Sequence, residues 1–286
     1  MDMAKALVIG STGTIGSSIV SVLQTKDHEV VSMSRKFTSD NSKHIYIDFS
    51  KPVNLGLYNW DFDIAYICFG ISGESECKKD PTRSSFVNLY QTKQLIQNLD
   101  NHGNRIVYFS SSAVLGGLSR DAPVDRHPTP KGIYANQKLE IENFILENSK
   151  CSNIIRTGKV FGDEFPLIQF WQEQLRQGKK INVSRNKHIA PIESIFLANQ
   201  LERSIDFKKT IISQFSAADD ISYVQIALNL LANLNIVGDS EHINHGECFE
   251  DLQNQYETLQ PSGIFSELIR QPGREVLRKF QHLTNV

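Results

Sequence analysis

The segment that most constrains this chain is a glycine-rich turn between a short apolar run and an amphipathic stretch. Ala6-Leu7-Val8-Ile9 reads as a buried strand, and Gly10-Ser11-Thr12-Gly13-Thr14-Ile15-Gly16 follows at once. Across residues 14–24 the apolar side chains Ile15, Ile19, Val22 and Leu23 fall on one side of a helix. Gly10 permits the tight turn, Gly13 lets backbone approach a pyrophosphate, and Gly16 lets the helix pack close to the strand. The helix N-terminus offers free N–H groups and a favourable dipole to phosphate. Gly10, Thr12, Gly13, Thr14, Ile15 and Gly16 are therefore expected to hold a dinucleotide's pyrophosphate. A glycine-rich turn with no ligand is the plainer alternative.

The same alternation continues. Strands are expected at residues 29–33, 44–47, 63–69, 105–109 and 153–156, and helices at 81–100 and 134–148. Alternation of this kind makes strands parallel, because each crossover helix returns the chain to the same end of the sheet. Right-handed crossovers then leave a doubly wound, Rossmann-type α/β sheet. After Arg156 the texture changes. Helices are expected at 164–177, 192–205 and 221–232, strands at 180–183 and 210–215, a polar stretch at 238–263, and short helices within 264–280. Residues 1–160 are thus expected to form the dinucleotide domain. Residues 161–286 form mostly a smaller substrate lobe over the sheet's carboxyl edge, with 192–215 returning to the first domain.

The totals exclude other classes. A 40% hydrophobic content suits a sizeable core, and a net charge of −2 with mixed signs gives no field for nucleic acid. No run of about 18 apolar residues exists to enter a membrane. The N-terminus lacks the apolar stretch of a signal peptide. The four cysteines, at 68, 77, 151 and 248, form no CxxC pair and read as small apolar residues in a reducing cytoplasm. His242 and His245 make an HxxH pair beside Glu241 and Glu247, but no third ligand stands at a recognisable spacing. They read as a solvated loop, and no metal is expected.

Two further sites follow from residue types. Binders of NAD usually place a carboxylate at the end of the second strand, to hold the ribose 2′-OH. Here that region is Ser32-Met33-Ser34-Arg35-Lys36. Ser34, Arg35 and Lys36 suit a 2′-phosphate, so NADP(H) is favoured and NAD(H) stays open. Tyr134 and Lys138 stand four apart on one helix face. Tyrosine needs a neighbouring cation to favour phenolate, and Lys138 is positioned to be that cation. Ser112, in Ser110-Ser111-Ser112 at the end of a strand, is expected to orient a carbonyl or alcohol beside the tyrosine.

This order of motifs resembles the extended short-chain dehydrogenase/reductase family, in the NAD-dependent epimerase/dehydratase superfamily, over nearly the whole chain. Residues 108–114, Tyr-Phe-Ser-Ser-Ser-Ala-Val, are similar to the family's serine strand. Residues 156–162, Arg-Thr-Gly-Lys-Val-Phe-Gly, resemble its Arg-Pro-x-x-Val-Tyr-Gly segment near the nicotinamide, with Thr157 in place of proline. The resemblance implies cofactor contacts from Asp48, Phe49, Phe69, Gly70, Asn88, Tyr134, Lys138, Thr157 and Val160. It implies substrate contacts from Ser112, Ala113, Phe161 and Arg185.

Within the family the chain is most similar to the dTDP-4-dehydrorhamnose reductase group, through its length, residues 77–81 and residues 181–191. Asn186, Lys187 and Ile192 replace residues which that group often has as Asp, Gln and Thr. The implied activity is NADP(H)-dependent reduction of a nucleotide-linked 4-keto sugar in deoxysugar or surface-polysaccharide synthesis. A nucleotide-sugar epimerase or dehydratase with tightly bound NAD, and a dinucleotide-binding subunit without turnover, remain open. The expected partner is a nucleotide sugar, with a homodimer left open. Trp171, near Phe165 and Phe170, is weighed as a base-stacking residue against ordinary core packing. Arg185 and Lys187 are weighed as diphosphate contacts against solvated cations.

Overall fold

The computed structural model describes residues 3–36, 43–117, 119–162, 165–246 and 255–281. Cys248, Glu247 and Glu164 lie outside them. The first half runs β1 (Lys5–Ile9), α1 (Thr14–Thr25), β2 (Glu29–Ser34), β3 (His44–Tyr46), β4 (Ile64–Ile67), α2 (Glu74–Lys79), α3 (Pro81–Ser85), α4 (Thr92–Asn101), β5 (Arg105–Phe109), α5 (Gly132–Asn148) and β6 (Ser152–Thr157). The second half runs β7 (Val160–Phe161), α6 (Pro166–Arg176), β8 (Ile181–Ser184), β9 (His188–Ile189), β10 (Ile192–Glu193), α7 (Ser194–Glu202), β11 (Ile211–Phe215), β12 (Ile221–Ser222), α8 (Tyr223–Asn233), α9 (Asp239–His242), β13 (Ile243–Gly246) and α10 (Gly273–Gln281).

Seven parallel strands form the central sheet, in the order β11-β6-β5-β4-β1-β2-β3. Side chains alternate across it, so β1 sends Ala6 and Val8 to one face and Leu7 and Ile9 to the other. Ile19, Val22 and Leu23 of α1 and Leu197, Ala198 and Leu201 of α7 cover the first face. Leu95, Ile96 and Leu99 of α4 and Ile141 and Ile145 of α5 cover the second. A parallel sheet buried on both faces needs nearly continuous apolar strands, as β1 and β4 have. Each large side chain so buried contributes about 1.5–3 kcal/mol.

The remaining strands are short and build a lobe. β7 pairs with β10, β9 with β12, and β8 with β13. Phe161, Phe165, Ile168, Trp171, Leu175, Ile181, Val183 and Leu230 share its apolar core. Trp171 is buried there, edge-on to Tyr223 at 6.0 Å, so it packs the lobe and presents no stacking face. β11 returns to the central sheet beside β6.

Some expectations are corrected. The helix expected at 192–205 starts at Ser194, because pairing with β7 holds Ile192 and Glu193 extended. The helix expected at 221–232 starts at Tyr223, after β12. The stretch 81–100 is helical throughout, but its middle, Phe86–Gln91, is a π-helix. Its wider turn lets the Thr92 hydroxyl donate to the Val87 carbonyl at 3.0 Å. The polar stretch 238–263 contributes α9, β13 and a segment that returns over the cleft.

Candidate active site

The glycine turn is built as its spacing requires. Gly10 sits at φ +86°, and its N–H and that of Ser11 both donate to the Met33 carbonyl, at 2.7 and 3.2 Å. A Cβ on Gly10 would lie 2.7 Å from the Phe69 nitrogen. A Cβ on Gly16 would strike the Gly10 carbonyl oxygen. Gly13 meets nothing closer than 3.4 Å, so its small size serves space outside the protein's own contacts. The first turn of α1 has no side-chain cap and no acidic residue. Its orphan N–H groups, on Thr14, Ile15 and Gly16, are thus left for an anion, which fits a pyrophosphate. Gly16→Ala is expected to weaken NADPH binding at least tenfold while the overall fold is retained, since overpacking of about 1–3 kcal/mol falls on the turn itself. Fluorescence titration with NADPH checks this, and unchanged affinity refutes it.

The turn expected to meet the adenosine end follows β2. Ser34 Oγ donates to the Lys36 carbonyl at 2.7 Å and accepts from the Lys36 N–H at 3.2 Å. That turn presents Arg35 and Lys36, both exposed. The Asp48 carboxyl is raised by burial, but hydrogen bonds from Ser50 and the charges of Arg35 and Lys51 outweigh this and hold it below the usual range. Phe49 and Phe69 stack with ring centres 4.2 Å apart. Gly70, at φ +149°, leaves 3.2 Å between a built Cβ and Asn88 Oδ1.

Asn88 holds the loop that follows β4. Its Oδ1 accepts from the Ile71 N–H at 2.8 Å, and its Nδ2 donates to the Ile71 carbonyl at 2.9 Å and to Gln137 Oε1 at 2.8 Å. Asn88 thereby clasps the Gly70–Ile71 loop to α5, and its Oδ1 keeps a second lone pair. The π-helix places it there.

Tyr134 and Lys138 share one face of α5, as their spacing predicts. Lys138 Nζ donates to the Phe109 carbonyl at 2.7 Å and lies 5.8 Å from the Tyr134 ring centre. Burial lowers Lys138 to about 8, against the carboxylate of Glu142. Burial likewise raises Tyr134 to about 12, opposed by a hydrogen bond with Ser111. The expected phenolate is therefore not favoured: burial dominates, and Tyr134 keeps its proton at neutral pH.

The Ser111 hydroxyl opposes the rise of Tyr134, and Ser112, the expected serine, follows it at once. β5 ends at Phe109 and a 3₁₀ turn starts at Ser112, a buried residue, with Ser111 as its cap. Ala113 is half-buried within that turn. Around it, Thr157 is buried and Val160 half-buried past β6. Phe161 is buried in the lobe core, and a Cβ on the next residue, Gly162, would touch Thr14 Cγ2 at 2.9 Å. Arg185 is exposed between β8 and β9.

Three acids escaped sequence reasoning. Glu74, on α2, accepts the N–H groups of Ile133 and Tyr134 at 3.1 and 3.0 Å, capping α5 where the tyrosine stands. Glu142, one turn beyond Lys138, is ion-paired in the interior to Arg156 at 2.6 Å and accepts from Ser110 Oγ at 2.5 Å. Glu257 accepts the Lys159 N–H at 2.9 Å at the carboxyl edge of the sheet. Glu142 alone had a findable signal, a helical i+4 step from Lys138. Among the described residues no three side chains form a group able to hold a metal ion, and no helix is long and apolar enough to cross a membrane.

The family model for the RmlD substrate binding domain matches residues 4–239. The chain belongs to the RmlD family. RmlD-family proteins of this kind are NAD(P)-dependent oxidoreductases of the short-chain dehydrogenase/reductase type, and so is this chain. The spore coat polysaccharide biosynthesis protein SpsK of Bacillus subtilis (strain 168) is 25% identical over 165 residues, 56% of this chain and 54% of SpsK. The match therefore spans about half of that relative. A dTDP-4-dehydrorhamnose reductase from Bacillus anthracis str. Ames, solved with NADP, is 15% identical over 99% of both chains, with TM-score 0.77. MoeE5, solved with UDP-glucose and NAD, is 18% identical over 98% of both, with TM-score 0.82. At these identities the two solved structures establish the shared RmlD-type fold.

Proposed function

We propose that this protein reduces a nucleotide-linked 4-keto sugar with NADPH, in deoxysugar or polysaccharide synthesis. The observation that carries the reading is Lys138 set between the Tyr134 ring and the Phe109 carbonyl at the end of β5, with Ser112 in the turn that follows. NADP and UDP-glucose in the similar structures, and the polysaccharide role in SpsK's name, support it.

The orphan N–H groups of α1 would hold the pyrophosphate, Arg35 and Lys36 the 2′-phosphate, and Lys138 the nicotinamide ribose. Bound there, the reduced nicotinamide supplies a hydride to the carbonyl carbon. Ser112 and Tyr134 would hydrogen-bond the carbonyl oxygen, and the Tyr134 hydroxyl would pass its proton to it, giving an alcohol. The charge of Lys138 would steady the tyrosinate left behind. Ala113 would line the sugar's face, and Arg185 would meet the diphosphate.

The test is a screen of 4-keto-sugar nucleotides for loss of absorbance at about 340 nm, the band of the reduced nicotinamide. NADPH should serve better than NADH, and Arg35→Ala should weaken NADPH about 10- to 100-fold with little effect on NADH, the worth of a charge-assisted bond. Absence of cofactor oxidation with every ketone overturns the reading. Isomerised product without net cofactor loss would identify an epimerase instead.

A further inference from the structure

Glu257 belongs to no motif, yet the fold wedges it between the continuations of β5 and β6. On one side, residues 255–260 run beside the loop that follows the serine turn. Tyr256 N–H donates to the Gly117 carbonyl at 2.9 Å, Ala122 N–H to Thr258 at 3.1 Å, and Gln260 N–H to Ala122 at 3.1 Å. On the other side, the N–H groups of Lys159 and Ala190 donate to Glu257 Oε2 at 2.9 and 3.4 Å. Asp220 anchors the backbone between, accepting from Glu257 N–H at 2.7 Å and from the Thr258 hydroxyl at 2.6 Å.

The carboxylate is therefore fixed in direction. Oε2 faces two backbone donors. Oε1 has no hydrogen-bond partner among the described residues, and the side chain stays half-buried. Its charge reaches both Tyr134, on α5, and Tyr223, on α8. A fixed acceptor whose charge is felt at Tyr134, with no partner among the described residues, suits a neutral polyol.

We propose that Glu257 binds the substrate, its Oε1 accepting a hydrogen bond from a hydroxyl of the sugar ring beside the carbonyl that Tyr134 protonates. The assignment rests on reading the cleft as a keto-sugar site. It makes the enzyme select a sugar that keeps that hydroxyl, because a site built to bond an OH rejects the analogue lacking it. The groups that face the carboxylate are Lys159 after β6, Asp220 before β12, Tyr134 and Tyr223. Burial raises Glu257 to about 7 against the Lys159 N–H and charge. Below that pH, Oε1 carries a proton and donates.

Glu257→Gln tests this. The two N–H groups require the amide oxygen, so the variant presents NH₂ where Oε1 stood: a donor replaces an acceptor with little change of shape. Binding of UDP-glucose and its 2-, 3-, 4- and 6-deoxy analogues to NADP⁺-loaded protein is measured by calorimetry, which needs no turnover. Above pH 7 the variant should bind UDP-glucose about 10- to 100-fold more weakly. One deoxy analogue should bind both proteins alike, and the gap for UDP-glucose should close at pH 6. NADP⁺ affinity should be the same in both. Equal UDP-glucose affinity in the two proteins at pH 8 refutes the assignment and leaves the reductase reading standing. No binding of any of these sugars by the parent protein overturns the sugar-nucleotide reading and the assignment with it.

Discussion

Tyr134→Phe should bind NADPH and nucleotide sugar as the parent protein does, and should turn substrate over roughly 10²- to 10⁴-fold more slowly. The ring remains to fill its place against Lys138, while the hydroxyl that would pass its proton to the ketone is removed. With its proton held to about pH 12, Tyr134 contributes no pH limb near neutrality. Lys138 does. It is charged below about 8 and loses that charge as pH rises through this value. The parent kcat should therefore fall on the alkaline side near pH 8, and Lys138→Met should be slow at every pH with that limb gone. A Tyr134→Phe enzyme with unchanged kcat would remove the tyrosine from the chemistry.

The second large effect is on stability. Glu142 and Arg156 are both almost fully buried, and the carboxylate takes bonds from Nε and Nη2 of Arg156 and from Ser110. Glu142→Gln leaves the guanidinium charged in a low-dielectric interior, at a cost of about 3–5 kcal/mol. In a chain of this size that is a fall in Tm on the order of 10 °C. The double variant Glu142→Gln/Arg156→Met should recover much of the loss, since the isolated charge is the source of the penalty. Calorimetry on the three proteins decides it, and a single variant as stable as the parent would mean the pair is solvated. The same substitution withdraws a carboxylate that raises Lys138, so any active fraction should show its alkaline limb at lower pH.

The parts of the site legible in the sequence are those with a period or a fixed spacing. Gly10, Gly13 and Gly16 carry their geometry in their intervals, and Tyr134 and Lys138 carry theirs in one helical turn. Strands such as β1 and β4 announce themselves because burial on both faces demands apolar runs. Ser111 and Ser112 differ by one step at a strand end, where one residue exchanges one side for the other and three identical serines give no mark of which is which. The π turn that carries Asn88 leaves no trace in apolar spacing. β7, β9, β10 and β12 are two residues each, too short to show any alternation. Glu74 and Glu257 stand in polar stretches with no motif around them, and only long-range folding brings Glu74 to the N–H of Tyr134 and the charge of Glu257 within its reach.

The excursion of the chain between β6 and β11 carries a last consequence. The sheet is closed on its outer side by Ile211–Phe215, and Phe265 packs against Phe215 from further along still. The lobe is therefore looped out of the dinucleotide domain and stitched back, where a simple tail would hang from one hinge. A single proteolytic nick between residues 161 and 210 would leave both fragments of the sheet held by packing. The relative placement of Tyr134 and Glu257 is likewise set by several strand registers, not by the statistics of one flexible tether. Exchange of substrate preference between relatives would then be easiest by replacing the looped-out segments whole, with the glycine turn and the proton donor undisturbed.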